Sequence, residues 1–336
     1  MPEIPALPDV ATLAAPLYLA LIAVEVVAIR LGRAEGRYEG RDTATSLTMG
    51  LGSIVSGALL GGVAYGLVFL AYDFRIATLP FAAGSLVLCF VLNDLQYYWA
   101  HRFGHTSRWF WASHVVHHSS RRYNLGTALR QTWTGPISGL VVLKVPLALL
   151  GFHPVLIAFV ASANLVYQFW IHTEAVGRLP RWFEAVFNTP SHHRVHHGAN
   201  PRYLDANYGG TLIVWDRLFG TFVPEQDEEP VRFGLVHDLE TYNPLRVAFH
   251  EYADMARDVL RPGLTLRERL AYLAAPPGWS HDGSRATSTE LKARYVASHP
   301  GAAGAPGLPG AVPAPVDLAD AAPAYSCGGS STPSMT

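Results

Sequence analysis

Five apolar runs, at roughly residues 13–31, 47–72, 78–99, 135–150 and 154–172, dominate the first half of the chain. A helix needs about 20 mostly apolar residues to cross a bilayer, and backbone in lipid must satisfy its own hydrogen bonds. The runs therefore predict an all-α fold, an integral membrane helical bundle of about four to five spans with a cytoplasmic histidine-rich helical cap. The fourth run is short and contains Lys144. It reads as a tilted span or as one arm of a re-entrant hairpin. Composition agrees, because charged residues make up only 15% of the chain against about 25% in an average soluble domain. A formal charge of −1 leaves no electrostatic footprint for nucleic acid. Two cysteines, Cys89 and Cys327, form neither a disulfide framework nor a cysteine zinc site. The opening "MPEIPALPD" is acidic where a secretion signal would be basic, so the first run reads as a retained anchor.

Positive charge orients the bundle. Arg30, Arg33, Arg37 and Arg41 follow the first run, and Arg102, Arg108, Arg121, Arg122 and Arg130 follow the third. The positive-inside rule puts both loops in the cytoplasm, with the N-terminus outside and the C-terminus inside. The expected divisions are 1–43, an anchor span with a basic loop, then 44–298, a membrane domain with its cap, then 299–336, a Gly/Pro/Ala-rich tail expected to be disordered. Within the cap, "RWFEAVF" suits a short helix in the membrane interface, and two more amphipathic stretches cover about 245–260 and 264–274. Trp109, Phe110, Trp111, Trp182 and Phe183 are candidates to border a lipid entrance at that interface.

This orientation, reached without the histidines, places every histidine motif at the cytoplasmic ends of the spans. The chain has 15 histidines. His-x-x-His-His occurs twice, as "HVVHH" (His114, His117, His118) and "HRVHH" (His193, His196, His197), after "HRFGH" with His101 and His105. His172 ends the fifth run. Residues three and four apart share a helix face, so each motif can aim two or three imidazoles at one point. These nine imidazoles are too many for one metal and suit two. His153, His237, His250, His281 and His299 stand alone and read as ordinary surface or core residues. His192 has Ser113 as its counterpart in the first motif and reads as a neighbour of the site. Imidazole suits zinc, copper, iron and nickel. Structural zinc takes four ligands, and carboxylate di-iron bundles use Glu-x-x-His pairs, of which this chain has none. An all-histidine dinuclear centre that binds O₂ remains. Asp94 lies seven residues before His101 on the same stripe and is expected to orient a ligand imidazole through its second nitrogen. Asn164, Gln168 and His172 form a second polar stripe, and Asn207 reads as a weak ligand or a turn residue.

These three motifs resemble the sterol desaturase / fatty acid hydroxylase superfamily of membrane di-iron enzymes. The stretches "YQFWIHTE" and "NTPSHHRVHHGANPRYLDANYGGTLIVWDRLFGTF" look more narrowly like its alkylglycerol monooxygenase branch. The resemblance runs from about Asp94 to about Trp279. It implies two Fe ions, O₂ and oxidation of a lipid C–H bond, with metal roles for His101, His105, His114, His117, His118, His172, His193, His196 and His197. Two departures matter. Some relatives carry histidine where Gln168 stands, and animal ether-lipid enzymes place Glu where Thr106 stands, which weakens transfer of a pterin requirement. No Gly-x-Gly-x-x-Gly fingerprint occurs, so electrons are expected from a separate redox partner, either a reduced pterin or a ferredoxin or cytochrome system. The expected activity is hydroxylation of a lipid, with the carbon beside an alkylglycerol ether oxygen as the leading target. Sterol, fatty acyl or carotenoid desaturation or hydroxylation is the alternative, and a metal transporter or zinc hydrolase is a more distant one.

Overall fold

The computed structural model describes residues 7, 8 and 10–310. Among these residues the regular structure is helical, and the only β pairing is two isolated bridges, Phe187 to Leu212 and Gly198 to Phe233. Four helices build the bundle: α1 (Val10–Arg30), α2 (Gly40–Asp73), α3 (Ala83–Thr106) and, after two shorter helices, α6 (Pro154–Trp170). Between α3 and α6 lie α4 (Arg108–His118) and the six-residue α5 (Val145–Leu150). By length and composition, α1 and α2 are the two described helices able to cross a membrane, and Leu140–Leu150 and α6 are shorter apolar segments. Their outward faces are bare of protein: Leu59 and Val63 of α2, for example, are 73% and 83% exposed.

The fourth apolar run is not one helix. Residues 135–137 and 140–144 form 3₁₀ turns before α5. The segment nevertheless travels the length of the bundle. At one end the Arg130 guanidinium bonds Asp42 of α2, and Trp133 Nε1 donates to the Met49 carbonyl. At the other end Leu79 N donates to Gly151 O and Ile76 N to Leu149 O. This irregular arm is only partly covered by protein: Ile137 and Val142 are 62% and 51% exposed, whereas Leu147 and Ala148 are buried. Gly151 is required at the reversal into α6. Its φ is +109°, and a Cβ there would collide with the Ala77 carbonyl. The apolar core of this end combines Val68, Cys89, Leu147, Phe152, Ile157 and Val160.

The cap follows α6. It contains α7 (Arg181–Glu184), α8 (Pro190–His196), α9 (Val214–Phe219), α10 (Pro244–Val259), α11 (Leu266–Ala274) and α12 (Ser288–Ser298). Proline at the first turn starts α8 and α10, and Asn243 caps α10 by accepting from Leu245 N and Arg246 N. Capping boxes Thr265/Glu268 and Thr287/Glu290 start α11 and α12. Residues 300–310, within the stretch expected to be a tail, form a 3₁₀ turn and further turns, with Leu308 buried. Residues 311–336 of that stretch lie outside the described residues.

Candidate metal centre

Helical geometry decides how the histidine motifs divide. Successive residues rotate by about 100°, so i and i+4 lie about 40° apart, whereas i+3 and i+4 are separated by a full 100°. One His-x-x-His-His motif therefore cannot aim all three rings at one point, contrary to the sequence reading's upper limit. The structure splits each motif. His101, His105, His114, His118 and His196 form one group, and His117, His172, His193 and His197 form another. In the first motif the i and i+4 rings join the first group and i+3 joins the second. In the second motif the assignment is reversed.

Within each group the Nε2 atoms converge. In the first, His101 Nε2 lies 3.0 Å from His114 Nε2, which lies 3.1 Å from His118 Nε2, which lies 3.1 Å from His196 Nε2. In the second, His117 and His172 Nε2 are 3.1 Å apart, His172 and His193 are 2.9 Å apart, and His193 and His197 are 3.3 Å apart. The groups adjoin, since the His118 and His197 rings stack 4.4 Å apart.

The far nitrogens explain the convergence. His101 Nδ1 donates to Tyr208 O (2.8 Å), His117 Nδ1 to Arg130 O (3.3 Å), His172 Nδ1 to Gln168 O (2.7 Å) and His196 Nδ1 to Ala206 O (2.9 Å). A carbonyl only accepts, so these rings carry their proton on Nδ1 and present a bare lone pair at Nε2. His117 and His172 thus point two lone pairs at each other across 3.1 Å. That arrangement fits a cation between them. His105 adds a buried Nε2 with no hydrogen-bond partner, while its Nδ1 sits 3.5 Å from Asp205 Oδ1. Burial, then the neighbouring imidazoles, hold His114, His118, His193, His196 and His197 well below the ordinary histidine range. Burial also takes His117 down to about 4. Neutral rings are what a metal needs.

The supporting polar residues differ from expectation. Asp94 touches no imidazole. It accepts from Asn164 Nδ2 (2.6 Å), Thr211 N (2.8 Å), Leu212 N (3.0 Å) and Trp215 Nε1 (2.9 Å). Its carboxylate pins the 211–215 segment onto α3 and α6. Gly210 permits this close approach, because a Cβ would press on Asn164 Oδ1 and Asp94 Oδ1. A relay also links Asp94 to the site: Gln168 Nε2 donates to Asn164 Oδ1 at 2.7 Å, and the Gln168 carbonyl holds His172. Gln168 therefore meets His172 through its backbone, while its side chain bonds Asn164 and Tyr97. Asn207 occupies a turn. Its φ is +56°, and its side chain bonds the His192 carbonyl and both backbone groups of Val223. His192 lies outside both groups, with its ring 5.3 Å from Phe222.

Sequence reasoning missed four supports. Asp205, in a left-handed turn at φ +52°, is the partner of His105. Burial opposes its ionisation, but hydrogen bonds from His105 and Ser288 and the charge of Lys292 outweigh that and hold it below the usual carboxylate range. The turn-rich "LDANYGG" was the available signal. Arg130 was counted as a loop charge, yet it is fully buried, paired with Asp42 at 2.6 Å, and its carbonyl orients His117. Arg108 is likewise internal, on Glu251 and Asp258. Glu25, buried in α1, accepts from Leu125 N at 2.9 Å and also bonds Tyr38 and Thr173, the residue after His172.

Residues 86–221, which contain all nine grouped histidines, match the family model for fatty acid hydroxylase. The chain is 40% identical to the alkylglycerol monooxygenase of Danio rerio over 270 residues, 80% of this chain and 59% of that protein. It is 38% identical to the alkylglycerol monooxygenase of Homo sapiens over 247 residues, 72% of this chain and 54% of that one. A shorter similarity, 29% over 140 residues, links it to the ornithine lipid hydroxylase of Rhizobium tropici, covering 42% of each chain. The chain spans about half the length of the alkylglycerol monooxygenases it matches. No solved structure matches it. Residues 86–221 are thus similar to the fatty acid hydroxylase family, and the chain is similar to alkylglycerol monooxygenases over most of its own length.

Proposed function

We propose that the protein is an O₂-dependent membrane monooxygenase that hydroxylates a lipid C–H bond, with one iron in each imidazole group. The observation that carries this reading is the division of nine imidazoles, most of them buried, into two adjoining groups with converging Nε2 atoms. Four imidazoles would suffice for a structural or hydrolytic zinc, and the first group alone has five. The irons, when bound, supply reductive activation of O₂. The residues hold that pair dry and in register. His101 and His105 come from the end of α3, His172 from just past α6, and the two motifs from α4 and α8. Four backbone carbonyls and Asp205 fix the ring orientations, and Asp94, Gln168 and Asn164 clamp α3 to α6 beneath them.

In this reading α1, α2, α3 and α6 cross the bilayer, and residues 131–150 cross beside them as a broken arm. The cap and the metal centre face the cytoplasm. Residues 44–298 form the working unit, with 299–336 as its tail. A lipid lies with its polar head near the cap and one carbon at the imidazole groups. The similarity to alkylglycerol monooxygenases favours the carbon next to a glycerol ether oxygen. One O₂ and two electrons with two protons convert that CH₂ to CH(OH) and release water. The resulting hemiacetal breaks its C–O bond, giving a fatty aldehyde and glycerol. The electrons come from a separate reduced pterin, ferredoxin or cytochrome system. The likeness to an ornithine lipid hydroxylase and to a protein named cholesterol 25-hydroxylase-like keeps acyl and sterol chains as the second reading. Membranes containing the protein, given labelled 1-alkylglycerol, O₂ and each donor in turn, should yield labelled fatty aldehyde. Aldehyde in no condition, with a changed sterol or acyl profile in cells, transfers the assignment to the second reading.

A further inference from the structure

We propose that α10 and α11 form a lipid-facing paddle that lies in the headgroup layer of an anionic leaflet and fixes the depth of the histidine helix α4. The paddle has two faces. Val247, Ala248, Met255 and Asp258 of α10 are buried against the protein. On the other side Leu245, Phe249, Ala253, Ala256 and Leu260, spaced four, four, three and four residues apart, make one exposed stripe. Leu260 is 76% exposed, and Leu266 of α11 is 72% exposed, with Leu270 one turn beyond. A soluble surface does not keep so many large apolar side chains in one stripe without a purpose.

Two observations name the occupant. The stripe is continuous with the lipid-facing surface of α2: Phe249 packs edge-on against the Trp133 ring at 6.1 Å, and Trp133 lies on α2 at Gly52 and bonds Met49 O. Met49 itself packs with Val247 and Ala248 of α10. The stripe is also flanked by exposed Arg246 and Arg267. Apolar residues flanked by arginine are the signature of a helix half-sunk in an anionic interface, with its apolar face about 5–10 Å into the headgroup and acyl boundary. The acids nearby are engaged elsewhere: Asp254 pairs with Arg257, Glu251 with Arg108, Asp258 with Arg108, Arg261 and Arg285, and Glu268 caps α11.

The paddle is also bolted to α4. Arg108, its first residue, bonds Glu251 Oε1 and Asp258 Oδ2 at 2.7 Å each, and Arg108 N donates to Ala275 O just past α11. Ten residues along the same helix stands His118. Immersion of the paddle therefore sets where a lipid headgroup lies relative to both imidazole groups.

The proposal rests on α2 crossing the bilayer, and its test separates the two. Nitroxide labels are placed at Leu260→Cys or Ile54→Cys in full-length protein carrying Cys327→Ser, where the remaining Cys89 is buried. The protein is set in lipid nanodiscs, neutral or with phosphatidylglycerol, and accessibility to O₂ and to a water-soluble nickel chelate is compared. The expected result is O₂-dominated relaxation at both sites in anionic discs. Immersion at Leu260 should be shallower in neutral discs or with Arg246→Gln/Arg267→Gln. Nickel-dominated relaxation at Leu260 with Ile54 immersed overturns the paddle alone, whereas nickel at Ile54 overturns the membrane reading beneath it. Spin–spin broadening at Leu260 between chains overturns the paddle in favour of a face covered by a second copy. Equal immersion in neutral and anionic discs overturns the role of the arginines.

Discussion

The two imidazole groups use the same motif in opposite phase, and they are braced from opposite sides. The first group adds His101 and His105 from α3, and its His105 leans on Asp205, a cap carboxylate held in turn by Ser288 and Lys292 of α12. The second group adds His172, whose ring is fixed by the Gln168 carbonyl at the end of a relay from Asp94 between α3 and α6. Nearly equal ligand sets thus depend on different parts of the molecule, one on the cap and the C-terminal helix, the other on the bundle. Sequence spacing alone shows the motifs as equivalent, and only their neighbours make them different.

Removing one ring from each group gives the largest effect. His196→Ala takes a ligand from the first group and His193→Ala takes one from the second. Each should lower activity by about 100-fold or more, because loss of a mere supporting partner already costs 10–100-fold. Iron content should fall in both while the protein stays in the membrane, with the untouched group keeping its ion. Iron quantification with Mössbauer or paramagnetic resonance spectra checks this. Full activity in either variant breaks the two-group reading.

The braces come next. Asp205→Asn should lower turnover by about 10–100-fold and perturb the first group's iron signal. Asp94→Asn should lower turnover comparably while leaving iron content nearer to normal, because it acts through Asn164 and Gln168 and through the 211–215 segment. If Asp205→Asn disturbs the second group and Asp94→Asn the first, the assignment of braces is wrong.

Acid tests what the groups share. Burial holds His114, His118, His193, His196 and His197 well below the ordinary histidine range and takes His117 down to about 4, whereas an unfolded histidine titrates near 6.5. Below about 6.5 the unfolded chain binds more protons, so stability falls with pH. The contribution is fully present above about 6.5 and is lost as pH falls toward 4, on the order of 2–3 kcal/mol for such a ring. Chelator-stripped protein should therefore melt progressively lower between pH 6.5 and pH 4.5. Iron-loaded protein should hold its melting temperature to lower pH, since the metal competes with protons for the same lone pairs. Identical profiles with and without iron would count against metal binding through these nitrogens.

Much of this was legible in the chain. The apolar runs at 13–31 and 47–72 became α1 and the apolar part of α2, and the amphipathic stretches near 245–260 and 264–274 became α10 and α11. Eight of the nine grouped histidines were visible as motifs because spacing of three and four survives any tertiary arrangement, and His172 was visible at the end of the fifth apolar run. What spacing cannot carry is the partner of the second ring nitrogen. Four of those partners are backbone carbonyls, of Tyr208, Arg130, Gln168 and Ala206, whose position depends on folding and not on residue type. Asp94 shows the same limit. It lies seven residues before His101 on the same helix, but two backbone N–H groups and the Trp215 indole of the 211–215 segment, more than 100 residues away, took its lone pairs. Arg108 and Arg130 looked like loop charges because sequence does not reveal that acids from α10 and α2 meet them in the interior.

The smallest chemical effect belongs to His192, and it sharpens the comparison of the motifs. His192 adjoins His193 in sequence and is equally buried, yet it stands outside both groups. About 100° of rotation separates neighbouring residues on α8. His193 therefore faces His172, whereas His192 faces Phe222 and lies 3.9 Å from Glu184 Oε2. The matching place in the first motif is Ser113, whose hydroxyl bonds Thr132 and so also turns away from the imidazoles. His192→Ala should keep its iron and near-normal turnover, while losing about 1–3 kcal/mol of stability from the emptied space. His193→Ala should lose iron from the second group. Comparable iron loss in the two variants would mean that the motif's boundary falls one residue earlier, and that the second group has a ligand with no counterpart in the first.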